Sequence, residues 1–277
     1  MYRSLAPGAI GVKLPFAESC KLAAKYKFAG VDVNMGVVDE MGIDGVKSLL
    51  DELGLVAGST GMPVNFREDE ETFQQGLAGL PQFCETMVAL GCDRIATWFM
   101  PWHATLSYDE RFERMTKRVR AMCQAVAPYG MRFGLEFVGP ETLRAGKPNW
   151  FIYDIDGLLK LIAAVNEPNL GFLLDAYHWY TSGGTKDDLA KLSDKYIVLV
   201  HVNDGIAGRS AKEQLDQERA LPGETGVIDL ATFMGSLVEM GYSGPVVVEP
   251  FSQRLREMAP EAAIQETAAS LDRIWPK

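Results

Sequence analysis

Short apolar runs alternate with longer amphipathic ones along the whole chain. The runs at residues 9–14, 30–34, 55–59, 94–99, 132–137, 170–174, 197–202 and 246–249 read as eight buried strands. They lack polar alternation, as expected when both faces of a parallel sheet are covered. Between them, apolar residues recur at three- and four-residue steps. Phe73, Leu77, Leu80, Phe83, Met87 and Leu90 form one such stripe; Phe112, Met115, Val119, Met122 and Val126 form another; Leu230, Phe233, Leu237 and Met240 form a third. That spacing predicts helices with one face turned to a core. Pro81 is expected to kink or split the first of them. Gly30, Gly54, Gly91 and Gly130 stand just before strands, where a helix C-cap calls for left-handed backbone. The repeated order of strand, helix, glycine and strand predicts an α/β fold, a (β/α)8 TIM barrel forming a single domain over residues 1–277. An open doubly wound sheet is the alternative, but no G-x-G-x-x-G follows the first strand. Residues 203–226 are polar and strandless, and read as a long active-site loop.

Composition adds limits. Hydrophobic residues make up 47% and charged residues 23%, which sets disordered and fibrous classes aside. A formal charge of -10, without a basic run, argues against nucleic acid as a partner. The apolar runs are too short to span a bilayer, so no membrane association is expected. Cys20, Cys84, Cys92 and Cys123 contain no C-x-x-C pair and read as small buried hydrophobes of a reducing compartment. Residues 1–5 run into Pro7 and Gly8 with no long apolar stretch, so no signal peptide and a cytoplasmic location are expected.

The chemistry sits at strand ends. Glu136, Asp175, His201 and Glu249 close the fifth, sixth, seventh and eighth runs, at the barrel face where active sites form. Neighbouring strands lie about 5 Å apart, so the four side chains can converge. Three carboxylates so placed repel one another, and each costs several kcal/mol to bury alone. A divalent cation resolves the conflict, and this donor set suits Mn²⁺, with Zn²⁺, Co²⁺ and Mg²⁺ as alternatives. Nearby residues are candidates for substrate contact. His178 follows Asp175 by three and can donate to a substrate oxygen; Arg209 lies in the long loop; Glu141 follows Glu136 by five; His103 follows the fourth run. Trp98, Trp102 and Trp179 can wall a sugar ring, although ordinary packing accounts for them equally well. Asp204 is a candidate to orient the His201 ring, and Asp32 a candidate wall residue.

The segments at 128–139 (PYGMRFGLEFVG), 169–178 (NLGFLLDAYH), 200–204 (VHVND), 221–230 (LPGETGVIDL) and 248–251 (VEPF) resemble the xylose-isomerase-like sugar isomerase/epimerase superfamily. Within it the spacing is most similar to inosose (2-keto-myo-inositol) isomerases, and D-tagatose 3-epimerase-type and hydroxypyruvate isomerase-type enzymes share it. The likeness covers about residues 127–251 and is only architectural before that. It implies one metal held by Glu136, Asp175, His201 and Glu249. It also implies Glu136 and Glu249 as an acid/base pair, His178 as a substrate contact and Arg209 as the loop arginine. The epimerases' glutamate after the first ligand is spaced differently from Glu141.

The expected activity is therefore proton transfer on a ketose or keto-polyol through an enediolate stabilised by the metal, giving an isomerase or epimerase. The same enolate chemistry can expel a β-hydroxyl, so an inosose or 3-dehydroshikimate dehydratase or a C-glycoside-cleaving lyase is the alternative. An endonuclease IV-like nuclease binds three zinc ions through many more histidines than the three present here. The turn at Gly183 and Gly184 offers backbone N–H groups to a phosphate, but it reads more simply as a turn, so an unphosphorylated substrate is expected. Barrels of this family often pair as homo-oligomers; no sequence feature marks an interface.

Overall fold

The computed structural model describes residues 1–276. Its strands are β1 (Tyr2–Leu5), β2 (Gly30–Val31), β3 (Val56–Ala57), β4 (Thr60–Gly61), β5 (Arg94–Phe99), β6 (Arg132–Phe137), β7 (Leu170–Asp175), β8 (Ile197–Val202) and β9 (Pro245–Val248). All pair in parallel, in the order β3-β2-β1-β9-β8-β7-β6-β5-β4. The two end strands are consecutive in the chain, parted only by Gly58 and Ser59. Gly58 N–H donates to the Val31 carbonyl (2.8 Å) on one side, and Met62 N–H to the Ala96 carbonyl (2.9 Å) on the other. The third barrel strand is thus one stretch broken in the middle, and it closes the ring.

Around the sheet run α1 (Phe16–Lys25), α2 (Met35–Leu53), α3 (Glu70–Ala89), α4 (Tyr108–Val126), α5 (Glu141–Arg144), α6 (Ile155–Val165), α7 (Ala176–Thr181), α8 (Lys186–Leu189), α9 (Leu230–Glu239), α10 (Gln253–Glu257) and α11 (Pro260–Ile274). Local chemistry starts them where they start. Asn34, Asp69 and Asp154 each accept an N–H of the first turn, and Ser107 with Glu110 forms a reciprocal capping box on α4. The core lies between sheet and helices, filled by outward-facing strand residues such as Phe133, Leu135 and Phe137. All four cysteines are free and buried. Among the described residues no helix is long and apolar enough to cross a membrane.

Several details differ from the sequence reading: the run at 30–34 is a strand only over Gly30–Val31, Asn34 caps α2, and the run at 55–59 belongs to the broken third strand. The first strand is Tyr2–Leu5, and the run at 9–14 instead follows a 3-10 turn, Pro7–Ile10, that ends on left-handed Gly11. Pro at the first position favours that turn over a strand. Pro81 neither splits nor ends α3; it sits on the exposed face, where a carbonyl left without its N–H partner can be hydrated. Gly30 is not a helix cap. It opens β2, where a Cβ would approach Tyr2 Cε2 to 2.9 Å, and Lys27 makes the left-handed turn after α1. Gly54, Gly91 and Gly130 do adopt the left-handed region.

Candidate metal centre and active site

The two-residue period of the strands builds the site. Inside the barrel, Ala96, Leu173, Leu199 and Val247 form a buried apolar layer with Ala6 against it. Two residues further along the same strands, the same inward face presents Trp98, Asp175, His201 and Glu249, and Gly134 leads likewise to Glu136. Trp98 pairs in register with Glu136, and Asp175 with His201. The apolar layer therefore floors the barrel, and the ionisable layer crowns it at the C-terminal mouth.

One ligand atom from each of Glu136, Asp175, His201 and Glu249 lies within 4.8 Å of the others. His201 Nδ1 faces the centre, 3.4 Å from Glu249 Oε2, 3.8 Å from Glu136 Oε1 and 4.0 Å from Asp175 Oδ2. Asp175 is locked by its neighbours. Its Oδ1 accepts from Tyr177 N–H (2.6 Å), capping α7, and from Asn203 Nδ2 (3.0 Å). Arg219 supplies the counter-charge: its Nη1 lies 2.9 Å from Asp175 Oδ2 and 3.3 Å from Glu249 Oε2, and its Nη2 lies 3.0 Å from Asp216 Oδ1. The guanidinium is held between the rings of Tyr177 and Phe251, 4.5 and 4.6 Å from their centres. Phe251 takes a left-handed backbone (φ 40°), local strain of the kind that gathers at functional sites.

Burial, reinforced by the Glu249 and Asp175 charges, pushes the Glu136 carboxyl well up. Burial acts the same way on Glu249 and Asp175, but His201 and Arg219 outweigh it for Glu249, and Arg219, His178 and His201 for Asp175, so both fall. His201 is also opposed by burial, yet the three carboxylates hold its proton up to about 9. Protein cations thus carry the charge balance. The cluster fits a divalent ion on a further observation: Glu136 Oε1 and His201 Nδ1 are buried without a hydrogen-bond partner, and both point at the common centre. Oxygen and imidazole donors with no thiolate suit a borderline or hard cation.

His178 joins the cluster. It is 2% exposed, and its Nε2 lies 4.0 Å from Glu136 Oε1 and 3.9 Å from Asp216 Oδ1. Its Nδ1 accepts the Gly139 N–H (3.3 Å), its Nε2 faces Arg219 Nη2 at 3.4 Å, and burial keeps the ring neutral. Gly139 has no room for a side chain: a Cβ would meet the His178 carbonyl and lie 2.8 Å from Thr181 Oγ1.

Other candidates lie apart. Arg209 pairs with Glu218 at 2.7 Å rather than with a cluster carboxylate. Glu141 opens α5 and faces Lys212 at 3.6 Å. Trp179 is buried against Phe233 and donates to the Thr185 carbonyl, so it packs the core instead of walling a ligand. Trp102 and His103 line a separate cavity beyond β5. Asp204 does not reach the His201 ring; it gathers the N–H groups of Gly205, Thr225, Gly226 and Ile228 and ties the long loop together. Trp98 is 45% exposed at the mouth, with the Arg67 guanidinium 4.3 Å over its ring. Beside His201 and Glu249 opens a cavity of about 610 Å³, whose wall includes Leu14, Asp32, Asn34 and Phe251. The residues that sequence reasoning missed are Arg219, Asp216, Asn203 and Gly139. Three of them lie in the 203–226 loop and Gly139 ends the 128–139 segment, but no periodicity marks any of the four.

A model described as xylose isomerase-like TIM barrel matches residues 20–274. The inosose isomerase of Bacillus subtilis (strain 168) is 30% identical over 197 residues, 71% of this chain and 68% of that enzyme. Among solved structures, a xylose isomerase domain protein from Alicyclobacillus acidocaldarius superposes with a TM-score of 0.89 at 28% identity, covering 99% of this chain and 98% of its own. The IolI protein, solved with a bound zinc atom, superposes at 0.85 with 20% identity, covering 99% and 98%. The chain belongs to the xylose isomerase-like TIM-barrel family.

Proposed function

We propose that the protein is a divalent-metal-dependent isomerase or epimerase of ketoses or keto-polyols, inososes among them. The convergence of four donor atoms within 4.8 Å, two of them orphaned, at the mouth of a barrel carries this reading. The inosose isomerase likeness and the zinc bound by a structural relative support it. Glu136, Asp175, His201 and Glu249 would hold the ion. Once bound, it supplies Lewis-acid stabilisation to negative charge that develops on substrate oxygen.

The protein's own groups divide the remaining work. Asp175 is pinned by Tyr177, Asn203 and Arg219, so it serves as a fixed ligand rather than a proton carrier. Glu249 and Glu136 approach the centre from different sides of the barrel. One takes the proton from the carbon next to the carbonyl; the other returns a proton to the opposite face or to the adjacent carbon. His178, neutral and 4.0 Å from Glu136, is placed to hydrogen-bond a substrate oxygen. The cavity beside His201 and Glu249 is lined by Asp32 and Glu40 with no lysine or arginine, so the part of the substrate it takes is uncharged polyol.

Proton NMR in D₂O over a panel of ketoses and inososes tests this. Deuterium entering next to the carbonyl, with an isomer or epimer appearing, is the expected result. Loss of water or of an aglycone would replace isomerisation with elimination. No exchange on any substrate, from metal-loaded protein, would defeat the reading.

A further inference from the structure

Three guanidinium groups gather beside the end of β5 with no carboxylate in direct ion-pair contact. Arg67 comes from the segment after β4, and Arg111 and Arg114 from the first turns of α4. They line a cavity of about 240 Å³ together with Trp102 and His103. Among the described residues no carboxylate oxygen lies within 4.0 Å of any of the three. Their neighbour Arg118, by contrast, pairs with Glu70 at 2.8 Å. In a chain of net charge -10, such a cluster is the exception. Arg111 is 8% exposed and has the Phe151 ring 4.4 Å from its guanidinium, but no carboxylate against it.

Backbone carbonyls use only part of the donor capacity. Arg111 donates to Trp102 O (2.6 Å) and Met100 O (2.9 Å). Arg114 Nη2 donates to the carbonyls of Glu68 and Arg67, and Arg67 Nη2 to Trp98 O and Thr97 Oγ1. A guanidinium has five N–H groups, so donors are left over on each. The other polar side chains of the cavity donate as well. Trp102 Nε1–H is buried with no acceptor. His103 Nδ1 accepts from the N–H groups of Thr105 (3.1 Å) and Leu106 (2.9 Å), which leaves the ring proton on Nε2. Burial and the adjoining Arg111 and Arg114 keep that ring neutral. No carboxylate, amide or hydroxyl side chain lines the space.

We propose that this cavity binds a small oxyanion, a phosphate or carboxylate group, at a site distinct from the metal cluster. It shares no lining residue with the cavity beside His201 and Glu249. Arg67 links it to the barrel mouth, since its guanidinium lies over the ring of Trp98, the register partner of Glu136. The proposal stands whether or not the reaction above is right. The anion is either a free one or the charged tail of a substrate whose polyol part sits at the cluster.

Calorimetric titration of inorganic sulfate into metal-loaded protein tests it. One site is expected, weakened about tenfold or more in Arg67→Gln and Arg114→Gln and by added salt, and retained in Glu249→Gln. Arg67 is exposed, so its variant is expected to fold even if substitution of Arg111 does not. Sulfate that competes with anionic ketoses, while leaving neutral ones untouched, would assign the pocket to the substrate's own charge. Sulfate that binds without competing would assign it to a free anion. Absence of binding at millimolar sulfate, or equal binding by wild type and both arginine variants, would overturn the proposal.

Discussion

Removing Arg219 tests how the cluster balances its charge. The guanidinium is 1% exposed at its side chain and is shared by Asp175, Glu249 and Asp216. In Arg219→Gln, chelated of metal, Asp175 and Glu249 lose their nearest arginine and keep only His201 as a cation within 4.0 Å. Breaking a buried pair by deleting one partner destabilises by about 3–5 kcal/mol. At about 2–4 °C per kcal/mol for a domain approaching this size, the apparent Tm should fall by about 6–20 °C. Metal should then act differently on the two proteins. Arg219 occupies the carboxylate oxygens that a cation would use, so the variant should bind Mn²⁺ more tightly and gain more from it. A ligand at one hundred times its Kd adds about 2.7 kcal/mol. Thermal melts with EDTA and then with saturating Mn²⁺ read both effects. An unchanged Tm in chelated protein, or an equal metal-induced rise in both proteins, would refute the view of Arg219 as the built-in counter-ion.

Further expectations follow from single contacts. Glu136→Gln and Glu249→Gln should each lower solvent proton exchange by about 10²–10⁴-fold with the fold intact by circular dichroism; full activity in either removes it from the proton path. Gly139→Ala should displace His178, costing about 1–3 kcal/mol in urea unfolding and lowering kcat more than surface variants do. Asp32 is raised by burial from 3.8 to about 6. Its folded pKa exceeds the unfolded one, so its destabilisation is absent at low pH, grows as pH rises between these values and is complete above about 6. At about 1.36 kcal/mol per unit, Asp32→Asn should gain on the order of 2–3 kcal/mol over wild type at pH 7 relative to pH 4; parallel stability curves would contradict this.

Much of the barrel was legible because buried parallel strands carry their own signal. The strands at 94–99, 132–137 and 197–202 have the bounds that their apolar runs predict. Each also ends in or just past an inward-facing residue of the mouth, so strand and site were read together. β1 was not legible. Ser4 faces inward, where Gly30 and Gly58 approach, and Arg3 pairs with Asp272, so the strand looks polar and only the closed barrel explains it. The arginine of the cluster was hidden for a different reason. Residues 203–226 have no period, and nothing local separates Arg209, which meets Glu218, from Arg219, which is drawn in by Asp175 and Glu249 from other strands. Long-range electrostatics chose between them, and sequence spacing carries no trace of that choice.

Metal analysis of the purified protein is the most direct measurement of the central claim. The account predicts one divalent ion per chain after equilibration with Mn²⁺ or Zn²⁺, and loss of that ion in Asp175→Asn and in His201→Asn while the fold is retained. No ion in the wild type, or an undiminished ion in both variants, would contradict the four-ligand centre and the proton-transfer chemistry built on it.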